Sequence, residues 1–160
     1  MKYFFLLLFY PVILCAQSTW GKTELARNTF VHWSTSVFKE KEHTIGICKT
    51  DDFDYICTID GKAWYGGDIG MDKPRNQLVN LELELNGKRI PLETTNMFNP
   101  SFDGSLGADQ FKLQQEGSHY RLYAFFSDGA GTYMAEWKIV NGTSVRELIS
   151  NDEKYFGWQD

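Results

Sequence analysis

Two cysteines, Cys48 and Cys57, bracket an acid-rich segment in the stretch ICKTDDFDYIC. Four chemistries could use such a segment. Thiol–disulfide exchange needs a C-x-x-C motif, which is absent. A zinc centre needs more ligands close by than this segment offers. Calcium could use Asp51, Asp52 and Asp54, but the D-x-D-x-D-G order of a calcium loop is missing. A disulfide needs only an oxidising compartment and a chain path that brings the sulfurs together. HTIGICKTDDFDYICTID supplies that path, because Ile45, Ile47, Tyr55, Ile56 and Ile59 flank a polar tip as two strands of a hairpin would. Cys48 and Cys57 are therefore expected to form a disulfide, facing each other across a turn centred on Asp52 and Phe53.

Other reactive side chains fall into no catalytic pattern. His32, His43 and His119 stand in different segments, without H-E-x-x-H or H-x-H spacing. Ser105 in DGSLG lacks the G-x-S-x-G pattern and a strand-turn-helix context. The glycine groups GGDIG (66 to 70) and DGAG (128 to 131) lack the spacing and lysine of a phosphate loop. Both read as turns. Asp and Glu are plentiful enough that a pair suited to glycoside hydrolysis carries little specificity. No metal, cofactor or catalytic residue is expected.

Two clusters suit binding. AWYGGD (63 to 68), with FGWQD (156 to 160) as companion, offers Trp64, Tyr65 and Trp158 for stacking on a sugar or anchoring in a partner's pocket. FSDGAGTY offers Asp128, Gly129, Gly131 and Tyr133, where small residues let a backbone approach a ligand. The plainer readings are stronger: large aromatics bury in small β domains, and DGAG is an ordinary turn.

The elements that would hold these groups are hairpins. In NLELELNGKRIPLE the Asn86-Gly87 turn sets Leu83 opposite Ile90 and Leu81 opposite Leu92, with Glu84 paired to Arg89 on the other face. Pro91 cannot donate to a neighbour, so its strand belongs at a sheet edge. In FKLQQEGSHYRLYAFF a Gly117-Ser118 turn puts Phe111, Leu113, Leu122 and Ala124 on one face and Arg121, Tyr123 and Phe125 on the other. A third hairpin turns at Asn141-Gly142. Its simplest register sets Glu136 against Glu147 and Trp137 against Arg146, and a bulge would relieve the acid pair. Residues 22 to 42 divide evenly: Ala26, Phe30, Trp33 and Val37 have helical spacing, while Thr29, Val31, Thr35 and Val37 favour a strand. The sum is an all-β protein, a single antiparallel sandwich or small barrel built from sequential hairpins with one intrachain disulfide.

Compartment follows from the opening MKYFFLLLFYPVILCAQS. Lys2, an apolar run from Tyr3 to Cys15 and small or polar residues after it have the build of a signal peptide over residues 1-16. Cleavage after Ala16 leaves one β domain over 17-160. Leu14 is bulky for the residue before a lipid-modified cysteine, which argues against an anchor at Cys15. A secreted or periplasmic location is expected, with no stable membrane insertion after cleavage. The net charge of −5, without a basic cluster, makes nucleic acid a poor partner. The expected function is non-enzymatic binding, inhibitor-like, with a protein partner. The alternatives are a carbohydrate-binding module using exposed aromatics and a hydrolase with scattered acidic or His residues.

Overall fold

The computed structural model describes residues 18–67, 70–127 and 131–157; the expected signal peptide, Asp128, Gly129 and Trp158 lie outside them. Eleven strands account for most of the described chain. The first five are β1 (Ser18–Ala26), β2 (Thr29–Val37), β3 (Ile45–Lys49), β4 (Asp54–Ile59) and β5 (Lys62–Ala63). Then come β6 (Asn76–Leu85), β7 (Lys88–Pro91), β8 (Phe111–Glu116), β9 (His119–Phe126), β10 (Tyr133–Val140) and β11 (Thr143–Ser150).

Local turn chemistry sets the hairpins. Asn86 and Gly87 both take positive φ (50° and 82°), as do Asn141 and Gly142 (52° and 77°). This left-handed pair matches the twist of the flanking strands, which is why Asn-Gly selects it. At Gly117-Ser118 only the glycine is positive (61°), the signature of the other primed turn. The β6–β7 register is the expected one, Leu83 opposite Ile90 and Glu84 opposite Arg89, and Pro91 lies on an edge strand. The ion pair is not the expected one. Arg89 reaches diagonally to Glu82 (3.1 Å) while Glu84 turns to His32.

Between β10 and β11 the register shifts past Trp137↔Arg146 to Glu136↔Leu148, which leaves Glu147 as a bulge. The two acids are not left to repel. The Arg121 guanidinium, on the neighbouring β9, bonds both Glu136 and Glu147 and also Glu116. Trp137 faces the core and Arg146 goes to Glu93 and to the Thr95 carbonyl.

Residues 22 to 42 are mainly strand. β-branched Val31 and Thr35 alternate with exposed or half-buried neighbours and point inward with Trp33. Phe30, part of the apparent helical stripe, points outward under the Lys22 ammonium (3.6 Å). Only Glu40–Glu42 forms a turn of helix, a 3-10 one.

The strands form three antiparallel sheets, ordered β1-β2-β6-β7, β11-β10-β9-β8 and β3-β4-β5. The first two enclose one core that draws Val31, Leu81 and Leu83 from one sheet and Leu122, Phe126 and Trp137 from the other. That is a sandwich, and the described residues close no barrel. The third sheet has its own small core of Phe38, Ile56, Ile59 and Phe98. No helix among the described residues is long and apolar enough to cross a membrane.

Candidate functional site

The two glycine-bearing clusters, distant in sequence, meet in space. Tyr65 stacks on Tyr133 with centroids 6.0 Å apart. A methyl group on Gly131 would lie 2.8 Å from the Gly67 nitrogen and 2.9 Å from the Gly66 carbonyl carbon, closer than real contacts allow. Glycine is required there because two backbones touch. The Asn99 side-chain amide adds a hydrogen bond to the Gly66 carbonyl (2.6 Å). Trp64 packs edge-on against Phe98 (5.9 Å). Tyr133 is wholly buried, donates to the Phe98 carbonyl (2.8 Å), and has its phenol pKa pushed up by burial. The structure thus brings Tyr65, Gly131 and Tyr133 together but turns them inward. Trp64 and Tyr65 are half-buried and form no exposed aromatic row.

The cysteine segment faces outward. Cys48 and Cys57 are disulfide-bonded with their Cα atoms 5.7 Å apart. They are not directly opposite. Lys49 pairs with Asp54 and Cys48 with Tyr55, so the turn spans Thr50 to Phe53. The ladder then skips Cys57, because Ile47 pairs with Ile56 and Gly46 with Thr58. Cys57 is thus the bulged residue, two positions beyond Tyr55, and reaches Cys48 diagonally on the same face. Thr50 fixes this register: its hydroxyl donates to the Phe53 carbonyl and accepts from the Phe53 amide, and its own amide bonds the same carbonyl. Lys49 and Asp54 add an exposed ion pair (3.4 Å).

This hairpin presents apolar groups to water. Phe53 at the tip is 45% exposed and Ile47 51%. Met71, 48% exposed, follows the Gly70 carbonyl that accepts from the Ile56 amide on the far edge of β4. Asp51, Asp52 and Asp54 surround the tip against one cation, Lys49. The hairpin therefore combines a fixed backbone, an apolar tip and a net negative charge.

Each histidine has a carboxylate partner: His32 with Glu84 (2.5 Å), His43 with Asp60 (2.7 Å) and His119 with Glu116 (3.1 Å). The His43 and His32 bonds hold the Asp60 and Glu84 carboxyls below their usual range. His43 also stacks on Phe38 and meets Gln77, so it braces the third sheet against β6. No group of three or more His, Cys, Asp or Glu is arranged to hold a metal among the described residues.

Exposed aromatics were missed in the sequence, Phe102 (73% exposed) and, the most exposed aromatic among the described residues, Trp20. Trp20 on β1 is 80% exposed. The alternation in STWGKTELA carried the signal: Trp20, Lys22 and Glu24 share a face, while Leu25 packs on the core and the Thr23 hydroxyl bonds the Leu106 carbonyl. Compared with protein-family models, curated proteins and solved structures, the chain has no match.

Proposed function

We propose that this chain is a non-enzymatic interaction protein of a secreted or periplasmic compartment, and that it engages a protein partner through the stapled β3–β4 hairpin. One observation carries the reading. A disulfide fixes a hairpin that exposes Phe53 and Ile47 beside Asp51 and Asp52, at the end of the three-stranded sheet. Pre-ordering a loop lowers the entropy cost of binding. An apolar anchor in a charged setting is how interface hot spots are built. The carboxylates favour a partner with a basic rim around an apolar pocket, because complementary charge speeds and selects the encounter. The disulfide fits an oxidising compartment, as would the signal peptide expected over residues 1-16.

The native chain and a Phe53→Ser/Ile47→Ser variant, each immobilised, test this against the same extracytoplasmic fraction. A protein that the native chain retains and the variant loses, and that binds again once purified, supports the reading. Retention indifferent to both substitutions removes the hairpin from it.

A further inference from the structure

The outer face of the β1-β2-β6-β7 sheet divides into two halves. One half is ionic and mostly paired, with Glu24 at its exposed end. Glu84 takes both His32 (2.5 Å) and Lys22 (3.5 Å), and Arg89 takes Glu82 (3.1 Å). The other half is neutral and open. Trp20 stands opposite Ser34, and Ser34 opposite Asn80, in one straight row across three strands. The side chains of Ser34 and Asn80 have no hydrogen-bond partner among the described residues. Trp33 and Leu81, their chain neighbours, are buried, so this row points outward.

The row continues past β6. Val79 is the extra residue of a bulge beside Asn80 and is 53% exposed. Its carbonyl accepts from the Thr94 hydroxyl (3.3 Å). Val79 and Thr94 in turn line a cleft of about 330 Å³, whose other walls include Asn96 and Lys62. At ~4.8 Å per strand the line from Trp20 to Thr94 runs about 14 Å, the length of a short oligosaccharide.

From this juxtaposition we infer that the outer face of the first sheet is a binding site for a neutral saccharide chain. Trp20 supplies the flat ring on which the apolar face of a sugar stacks. Ser34 and Asn80 supply free donors and acceptors for its hydroxyls. A charged ligand would find no unpaired charge of opposite sign along the Trp20–Ser34–Asn80 row. This site is separate from the stapled hairpin and stands without it.

Fluorescence titration tests the inference. The native chain is titrated with neutral linear oligosaccharides of glucose, xylose and mannose, and with polygalacturonate as the charged comparison. One of the neutral series should perturb the emission saturably. Trp20→Ala should weaken that binding about tenfold or more, as loss of a stacking anchor does. Trp20→Phe should keep most of it, and Ser34→Ala/Asn80→Ala should weaken it while leaving the melting temperature unchanged. Phe53→Ser should have no effect, which keeps the hairpin and the sheet face distinguishable. Silence across the neutral series at millimolar concentration, tighter binding of polygalacturonate, or undiminished binding by Trp20→Ala each overturns the inference.

Discussion

The sandwich and the stapled sheet reach order by different physics. Among the described residues, seventeen buried side chains form the sandwich core, against four in the core behind β3, β4 and β5. Burial contributes roughly 1.5–3 kcal/mol for each large apolar side chain. The larger region can therefore rest on packing alone, with polar ends satisfied inside: the Trp137 indole donates to the Glu93 carbonyl (3.1 Å) and the Tyr133 hydroxyl to that of Phe98. The smaller region cannot. It adds the Cys48–Cys57 bond and the His43–Asp60 contact, and the Asp60 carboxylate also takes the Thr44 amide (2.8 Å). A sheet held by a few specific links can leave Ile47 and Phe53 exposed for a partner, whereas the sandwich has core enough to leave Trp20 and Val79 outside without such links.

The largest effect expected from breaking this comparison is in the sandwich. Trp137 is fully buried at the centre of β10. Trp137→Ala leaves a cavity beneath both large sheets and should cost about 3–5 kcal/mol. Denaturant melts should show one cooperative transition at a lower midpoint. An unchanged midpoint would mean that the two large sheets do not depend on a common core.

A smaller and more local effect is expected from the staple. Replacing Cys48 and Cys57 with Ser should cost about 2–3 kcal/mol on the short-loop entropy estimate. Most of that loss should appear as local opening, since typical domains hold ~5–15 kcal/mol in total. Hydrogen exchange separates the regions: the amides of Ile56 and Ile59 should lose protection, while those of Leu122 and Trp137 should keep it. Equal loss in both would make the staple a global element and not a regional one.

How much of this was legible depends on how local each cause is. The Asn-Gly and Gly-Ser hairpins were, because two residues determine the turn and alternation determines the face. The disulfide was legible as a pair, but its register was not. Thr50 closes the turn one residue before the symmetric position, which sets Cys48 opposite Tyr55, and a bulge then restores the contact of the sulfurs. Residues 22 to 42 divided evenly because Phe30 is apolar yet outward, covered by Lys22 from the neighbouring strand. The meeting of Gly66 and Gly67 with Gly131 is a contact between loops more than sixty residues apart, and composition shows only that glycine occurs in both. Likewise the threefold pairing of Arg121 depends on strands brought together by two hairpins.

That arginine gives the smallest of the expected effects, and it separates the two regions by pH. Bonds to Arg121 hold the Glu116 and Glu147 carboxyls below their ordinary value of 4.5. In the other region the His43 bond, with the Thr44 amide, holds Asp60 below 3.8. A carboxylate whose pKa is lowered by folding adds stability above its unfolded pKa, and loses it as pH falls through its folded pKa. Melting temperature should therefore fall as pH drops from about 4.5 downward. Arg121→Gln should flatten the part of that fall due to Glu116 and Glu147, while lowering the melting temperature at neutral pH, because three clustered acids then lack their shared cation. Asp60→Asn should leave that acid dependence of the sandwich intact and remove the part that exchange reports at Ile59. The effects should be modest, since these groups lie near solvent, where charge pairs contribute little. If Arg121→Gln and Asp60→Asn flatten the same amides to the same extent, the two regions unfold as one unit in acid, and the division between a packed sandwich and a linked sheet fails.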